Sequence, residues 1–326
     1  MANYLVTGAA GFIGANVVEM LLSQGHSVVG VDNMNRAYDV RMKEYRLKRL
    51  LNQPGFSFCM VDISDREAFL EGALPQGKDF EAVINLAARA GVRQSVEDPW
   101  VYIQTNVTGT LNLLELCRQH AIPKFILASS SSVYGADAPL PTPETADSDH
   151  PLQSYAASKK AAEVLCHAYH HLYGTDITIV RYFTVYGPAG RPDMSMFRFA
   201  QWITEGRPVR LNGNGEQSRG FTYVEDIARG TLQALRPLGF ETINLGGHET
   251  ITINALIGLL EELIGRKAII QQLPPNPAEM LASWADVHKA KRLLNWEPRT
   301  KLVEGVAHLV AWYNAERAWA SQIDTD

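Results

Sequence analysis

Tyr155 and Lys159 stand four residues apart in Q-S-Y-A-A-S-K-K, a spacing that places two side chains on one face of a helix about one turn apart. A free phenol has a pKa of roughly 10, too high for a base at neutral pH. A cation held beside it favours the phenolate, so the pair can move a proton. Alone, the pair could equally be two chance residues on a surface helix. The start of the chain, V-T-G-A-A-G-F-I-G, gives it weight. Residues 3–7 form an apolar run fit for a buried strand. Gly8, Gly11 and Gly14 follow, and from Phe12 and Ile13 to residue 24 the apolar residues recur at helical spacing. Glycines at a strand-to-helix turn permit a tight bend, close backbone approach to a pyrophosphate, and close packing of helix on strand. The helix N-terminus then presents amide N–H groups to the phosphates. The next apolar run, residues 27–31, ends in Asp32, eighteen residues after Gly14. A carboxylate there can accept from the adenosine ribose 2′-OH and would repel a 2′-phosphate, which predicts NAD rather than NADP. The plainer reading of Asp32 is a turn-former before Asn33; the spacing favours the ribose.

The elements that must position these groups alternate through the first half. Residues 56–62, 82–87, 124–129 and 176–182 read as further strands. Residues 65–70, 100–120 and 153–173 read as helices. Such alternation predicts an α/β fold, a doubly wound parallel Rossmann sheet with helices on both faces. Ligands of such sheets bind at the carboxyl ends of the strands, where Gly8, Asp32, Asp62, Ala87, Ser130 and Tyr182 fall. After Tyr186 glycine, proline and arginine become frequent through residue 219, and a smaller α/β substrate-binding domain is expected. The expected division is 1–185 for the nucleotide-binding domain, with residues about 221–250 returning to it, and 186–326 mainly for the smaller one. Residues 252–264 and 302–319 read as amphipathic helices.

Composition narrows the partners. The 326 residues are 46% hydrophobic and 20% charged with net charge −5, which fits a globular enzyme. With no basic tract, nucleic acid is not an expected partner. No apolar run is long enough to span a bilayer, and a strand beginning by residue 3 leaves no room for a signal peptide, so a cytoplasmic enzyme is expected. Cys59, Cys117 and Cys166 form no C-x-x-C and sit among apolar residues, as core residues in a reducing compartment would. The nine histidines are scattered, and adjacent His170 and His171 face different ways on a helix, so no metal site is expected.

Five motifs carry a family resemblance: T-G-A-A-G-F-I-G, N-L-A-A, S-S-S-S-V-Y-G, Y-A-A-S-K and R-Y-F-T-V-Y-G-P. With them the chain resembles the NAD-dependent nucleotide-sugar epimerases and dehydratases, the extended short-chain dehydrogenases, from residue 3 to about residue 320. Within that superfamily it is most similar to the bacterial UDP-glucuronate 4-epimerases, on the strength of D-N-M-N-R-A-Y-D-V-R-M-K-E-Y-R, A-A-R-A-G-V-R-Q-S and F-T-V-Y-G-P-A-G-R-P-D-M. The resemblance implies roles residue by residue. Tyr155 is the base, Lys159 its partner on the nicotinamide ribose, and Ser130 a donor to the sugar 4-oxygen. Asp62 and Ile63 lie beside the adenine. Leu86, Ala87, Ala88 and Tyr182 line the cofactor, with Asn33 next to Asp32, and Asn106 lies on a helix that contacts it. Arg93, Arg191 and Arg219 fall near the diphosphate and sugar, where a guanidinium can donate bidentately. Many relatives have Asp where this chain has Gly220, which leaves the way Arg219 is held open.

The implied reaction is oxidation at C4 of a UDP-sugar, rotation of the 4-keto sugar, and return of hydride to its other face. The cofactor is recycled rather than exchanged. A 4-keto uronate is a β-keto acid prone to lose carbon dioxide. Ser131, Ser132 and Thr184 group with Ser130 around the reacting carbons, and neutral hydroxyls can bind a carboxylate without supplying an acid. Related decarboxylases place Glu at the position of Ser132, 4,6-dehydratases an acidic pair at 131 and 132, and many hexose enzymes Asn at 184. The resemblance therefore implies a UDP-glucuronate substrate. A UDP-glucose 4-epimerase, an oxidising decarboxylase and a non-catalytic NAD-binding regulator are the alternatives. It also implies a homodimer through the helices 100–120 and 153–173, whose Val107, Leu111, Leu114, Val164, Leu165 and Tyr169 supply apolar residues on more than one face.

Overall fold

The computed structural model describes residues 1–71, 79–247, 249–275 and 281–325. The first six strands are β1 Asn3–Thr7, β2 Ser27–Asp32, β3 Phe56–Met60, β4 Ala82–Asn85, β5 Lys124–Ser130 and β6 Asp176–Tyr182. After them come β7 Thr184–Tyr186, β8 Pro208–Asn212, β9 Ser218–Tyr223, β10 Phe240–Leu245, β11 Thr250–Thr252, β12 Ile269–Leu273 and β13 Ala282–Ser283. Seven strands make one sheet in the order β10-β6-β5-β4-β1-β2-β3, every pairing parallel. This is the doubly wound arrangement expected from the alternation.

The strands read as apolar runs because both faces of the sheet are covered. Successive side chains point to opposite faces. Val6, Val28, Ile126 and Val180 enter the core beneath the helices Phe12–Ser23 and Val224–Gln233. Their neighbours Leu5, Val29, Phe125 and Ile179 enter the core beneath Gly109–Gln119 and Ser154–Tyr173. Between β1 and β4 the chain order reverses, which opens a crevice at the carboxyl ends of the strands.

The second part of the structure is organised around β9. It pairs in parallel with β7 and β13 and antiparallel with β11; β8 and β12 form a separate parallel pair. Phe221 of β9 makes its core with Phe199, Trp202, Leu256, Val306 and Leu309, from the helices Ser195–Glu205, Ile253–Ile264 and Leu302–Ala315. One residue, Phe183, separates the end of β6 from the start of β7, so the chain passes from the large sheet to the small one within a single step.

Two expectations need correction. The single helix over 100–120 is instead Pro99–Tyr102, a π-helical turn Ile103–Thr108, and Gly109–Gln119. A Cβ at Gly109 would lie 2.6 Å from the Ile63 side chain, so this last segment packs too closely for a larger residue. Leu114, one of the apolar residues spread over more than one face, is 1% exposed within the chain's own core. The helix read over 302–319 stops at Ala315, and a short helix Arg317–Ala320 follows. None of the described helices is long and apolar enough to cross a membrane.

Candidate active site

A cavity of about 940 Å³ opens at the carboxyl ends of the parallel strands and runs toward the smaller sheet. Its first wall is the turn between β1 and the Phe12–Ser23 helix. Gly8 has φ +69, and a Cβ at Gly14 would stand 2.0 Å from the Gly8 carbonyl oxygen. The loop can therefore close on itself only without side chains there. Gly8, Gly11, Phe12, Ile13 and Gly14 all line the cavity.

Asp32 ends β2 at the next edge and is 7% exposed. Its carboxylate accepts from the Met34 amide at 2.9 Å and from Lys43 at 3.3 Å. Asn33 donates to Asp62 at 2.7 Å. Burial pushes the Asp62 carboxyl up, but the Ser64 hydroxyl and amide and the Asn33 amide outweigh it and hold the group below the usual range. Ile63 completes this end. Thr7 at the tip of β1 donates to Asn85 at 2.8 Å and accepts from the Ala87 amide at 3.2 Å, which fixes Leu86, Ala87 and Ala88 along the cavity floor.

The proton-moving pair lies farther along. The helix Ser154–Tyr173 begins just before Tyr155, and Lys159 follows one turn later, 3% exposed. Burial pushes the phenol of Tyr155 up, while the Ser130 hydroxyl and the Arg191 charge pull it back. Lys159 is pushed down to about 8 by burial, with Glu163 opposing the shift. Ser130 is the last residue of β5; its Oγ accepts from the Ser132 amide at 3.2 Å at the head of a short 3-10 turn. Ser131 and Ser132 lie in that turn and Thr184 at the start of β7, and all of them line the cavity with Tyr182. The Tyr182 hydroxyl is shared with Thr231 at 2.7 Å.

Arg191 also faces the cavity. It pairs with Asp193 at 2.5 and 3.0 Å. Burial disfavours both charges, but the pairing keeps Arg191 above and Asp193 below their ordinary values. Arg219, on β9, donates to the Ser218 carbonyl at 2.8 Å and lines the far end; Arg93 is exposed at the rim. Gly220 has no room for the Asp of its relatives: a Cβ there would lie 2.6 Å from the Gly247 oxygen and 2.7 Å from the Trp284 Cβ.

Asn106 is the one expected contact residue that the structure does not bring to the cavity. It is buried in the π-helical turn, where its side chain accepts from the Arg89 amide at 2.9 Å and donates to the Arg89 carbonyl at 3.0 Å and to Ser158 at 2.9 Å. Ser158 in turn donates to the Tyr155 carbonyl at 2.7 Å. Asn106 thus braces the loop after β4 against the helix of Tyr155. Sequence reasoning missed Lys43, Tyr38, Asp193, Arg198 and Gln217, which also line the cavity. Tyr38, Lys43 and Asp193 lay inside the quoted motifs, but nothing in their spacing distinguished them.

The chain matches the model of the NAD dependent epimerase/dehydratase family over residues 4–246. It is 53% identical over 313 residues to a UDP-glucuronate 4-epimerase of Thermodesulfobacterium geofontis, covering 96% of each chain. It is similar, with a TM-score of 0.89 and 36% identity, to the crystal structure of the Bacillus cereus UDP-glucuronic acid 4-epimerase in complex with UDP-glucuronic acid and NAD, over 96% of this chain and 99% of that one. A Thermotoga maritima UDP-glucose 4-epimerase with UDP-glucose gives a TM-score of 0.88 at 33% identity, over 97% of this chain and 99% of that one. The chain therefore belongs to the NAD dependent epimerase/dehydratase family.

Proposed function

We propose that this protein is an NAD-dependent UDP-glucuronate 4-epimerase, interconverting UDP-glucuronate and UDP-galacturonate. The observation that carries the reading is one cavity that begins at the glycine turn and Asp32, passes Ser130, Tyr155 and Lys159, and ends among arginines, with the neutral hydroxyls of Ser131, Ser132 and Thr184 in its lining. Its residues fit the cofactor. The Gly8–Gly14 turn leaves its amides open to a diphosphate, Asp32 suits a ribose diol, and Asp62 with Ile63 borders the adenine end. Bound NAD supplies a hydride acceptor and donor for C4.

The chain's own residues do the rest. Tyr155 takes the proton from the C4 hydroxyl and later returns one to the C4 oxygen. Ser130 hydrogen-bonds that oxygen, Lys159 holds the ribose and favours the phenolate, and Arg191 lowers the cost of the negative phenol. Arg93, Arg191 and Arg219 hold the diphosphate. Ser131, Ser132 and Thr184 hold the uronate carboxylate without offering a proton to a β-keto acid. The two lobes divide the work: residues 1–185, with the returning segment at about 221–250, hold the cofactor, and the remainder of 186–326 holds the nucleotide-sugar.

The free thiols of Cys59, Cys117 and Cys166 suit a reducing compartment such as the cytoplasm. The exposed Trp100, Ile103, Val164 and Leu172, at 81%, 44%, 58% and 65%, lie on the same helices and suit burial in a homodimer. The test of the reading is separate incubation with UDP-glucuronate and with UDP-glucose, followed by product analysis. UDP-galacturonate from the first is expected. Efficient turnover of UDP-glucose with none of UDP-glucuronate would assign the chain to the hexose reaction of the Thermotoga relative instead.

A further inference from the structure

Arg46 is buried, 2% exposed, beneath the glycine turn. An arginine has five N–H donors, and all five are used here. Nε and Nη2 donate to the Ala189 carbonyl at 2.9 and 2.7 Å, and Nη2 also to the Gly190 carbonyl at 3.1 Å. Nη1 donates to the Ala10 carbonyl at 3.3 Å and to the Tyr38 hydroxyl at 2.9 Å. The guanidinium also lies 5.8 Å from the Phe12 ring centroid and 5.7 Å from that of Tyr38. All of these acceptors are neutral oxygens. They come from three places far apart in the chain: the nucleotide turn, the segment after β2, and the loop that leaves β7.

That loop needs holding. Ala189 has φ 51, a left-handed conformation that L side chains seldom adopt, and glycines stand on either side of the Pro188–Ala189 pair. The next residue after Gly190 is Arg191. Its guanidinium approaches the Ala90 carbonyl, at 3.5 Å, to which Tyr102 also donates at 3.4 Å. The Tyr102 ring meets the Tyr155 ring edge-on, with centroids 6.1 Å apart. A continuous set of contacts therefore runs from Arg46 through the 189–191 backbone to the surroundings of the proposed base.

We propose that Arg46 is a positioning residue: by clamping the Ala189 and Gly190 carbonyls to the nucleotide turn, it sets Arg191 against the substrate diphosphate and beside Tyr155. This rests on the reading of Arg191 and Tyr155 given above. Lysine keeps the charge of Arg46 but cannot reproduce the planar fork, so Arg46→Lys leaves several of these carbonyls unheld.

The experiment is a double-mutant cycle between Arg46→Lys and Arg191→Lys, read in three ways: UDP affinity by calorimetry, kcat against pH, and urea unfolding. Alone, Arg46→Lys should weaken UDP binding and lower kcat about tenfold to a hundredfold, the usual cost of a displacement of about 1 Å. The acidic limb of kcat should also move to higher pH, because Arg191 no longer lowers the phenol. Of the other groups facing that phenol, Ser130 does not titrate in this range, and Lys159, Tyr102 and Asp193 are unchanged by the substitution. In the Arg191→Lys background the same substitution should have little further effect on UDP binding or on the limb. Tyr38→Phe, which removes one acceptor of Nη1, should give a weaker change in the same direction, and it serves if Arg46→Lys does not fold. Additive losses, or lowered urea stability with an unmoved limb and unchanged UDP affinity, would overturn the proposal. The UDP arm needs no turnover, so absence of activity on UDP-glucuronate in the wild type would overturn the proposed function without deciding the clamp.

Discussion

Glu163 lies one helical turn beyond Lys159, and replacing it with Gln tests how the site is held from behind. One carboxylate oxygen accepts from Ser129 at 2.5 Å and from Arg181 Nε at 2.9 Å, and the other from Arg181 Nη2 at 2.6 Å. Both charged side chains are 6% exposed. Glutamine keeps an acceptor but leaves Arg181 as a buried cation, a loss of about 3–5 kcal/mol when one partner of such a pair is removed. A second effect reaches the active site. Burial pushes Lys159 down to about 8, and the Glu163 charge opposes it. Without that charge, burial acts on Lys159 with less opposition, and it should fall further below its ordinary value. The sign follows from the depressed folded value. The unfolded lysine holds its proton to roughly pH 10.4, so the folded protein is penalised below about pH 8 and the penalty fades as pH rises from there toward the unfolded value. In Glu163→Gln the penalty should be larger and should begin to fade at lower pH. The assays are urea unfolding across pH 6 to 10 and the kcat profile, whose alkaline limb should move acidward, with Glu163→Asp restoring part of both. Replacing the pair together, as Glu163→Gln with Arg181→Met, should recover most of the stability but not the limb. Unfolding within about 1 kcal/mol of wild type, against the loss expected for a buried pair, together with an unmoved limb would refute both parts of this reasoning.

Four other outcomes are expected. Tyr155→Phe should abolish epimerisation while the purified protein still carries NAD, measured by release on denaturation; near-normal turnover would remove the base. Asp32→Ala should weaken NAD binding and relax discrimination against NADP, more than the loss of repulsion alone would give, because Lys43 at 3.3 Å is freed to meet a 2′-phosphate; titration with both cofactors checks it. Thr184→Val should slow UDP-glucuronate turnover about tenfold to a hundredfold through loss of a hydrogen bond to a charged group worth roughly 1.5–3 kcal/mol, and any UDP-glucose turnover less; equal losses on both would remove Thr184 from the carboxylate. If the proposed homodimer forms, Val164→Glu, at a position 58% exposed, should shift the sedimenting species from dimer to monomer without loss of helix content, and a wild type that sediments only as monomer would remove the dimer.

What could be read from the chain alone was what depends on short-range pattern. The run Val28–Val31 alternates between two cores while remaining wholly apolar, so the strand and its burial on both faces were both visible. Tyr155 and Lys159 were visible because a helix brings the fourth residue onto the same face. Arg46 was not, since its acceptors lie at residues 10, 38, 189 and 190 and no local signal marks a buried arginine satisfied by carbonyls. Asn106 was placed on the right segment, but the π-helical turn rotates it away from the cavity and onto Arg89 and Ser158. The apolar residues of 100–120 fell on more than one face without saying which face is the inner one; the Gly109–Gln119 segment turns Leu114 to the core with Leu113 and Cys117. In each case a tertiary contact settled what the helical period left open.

On the proposed reading, the passage from β6 to β7 separates the chemistry from the choice of sugar. Tyr182 closes the large sheet beside Ser130, its partner in register. Thr184, two residues on, is already paired with Phe221 of the small sheet, on the strand that carries Arg219. Ser130 is thus fixed to the large sheet, and Tyr155 to the helix Ser154–Tyr173 packed on it. The hydroxyl of Thr184 and the cation of Arg219 belong to the other. On that reading, a sugar held across this junction would meet C4 chemistry on one side and recognition on the other, so a change at Thr184 should alter the substrate while the Tyr155 helix stays in place. Three of the cavity's carboxylates fit the same division. Asp62 is held ionised by Ser64 and Asn33, Asp193 by Arg191, and Asp32 accepts from Met34 and Lys43. Acids so engaged are poor proton donors, and the hydroxyls of Ser131, Ser132 and Thr184 are far too weakly acidic to serve. On the proposed reading, a 4-keto uronate meets neutral hydroxyls at its carboxylate and the Tyr155 phenol at its C4 oxygen, a combination that favours return of hydride over loss of carbon dioxide.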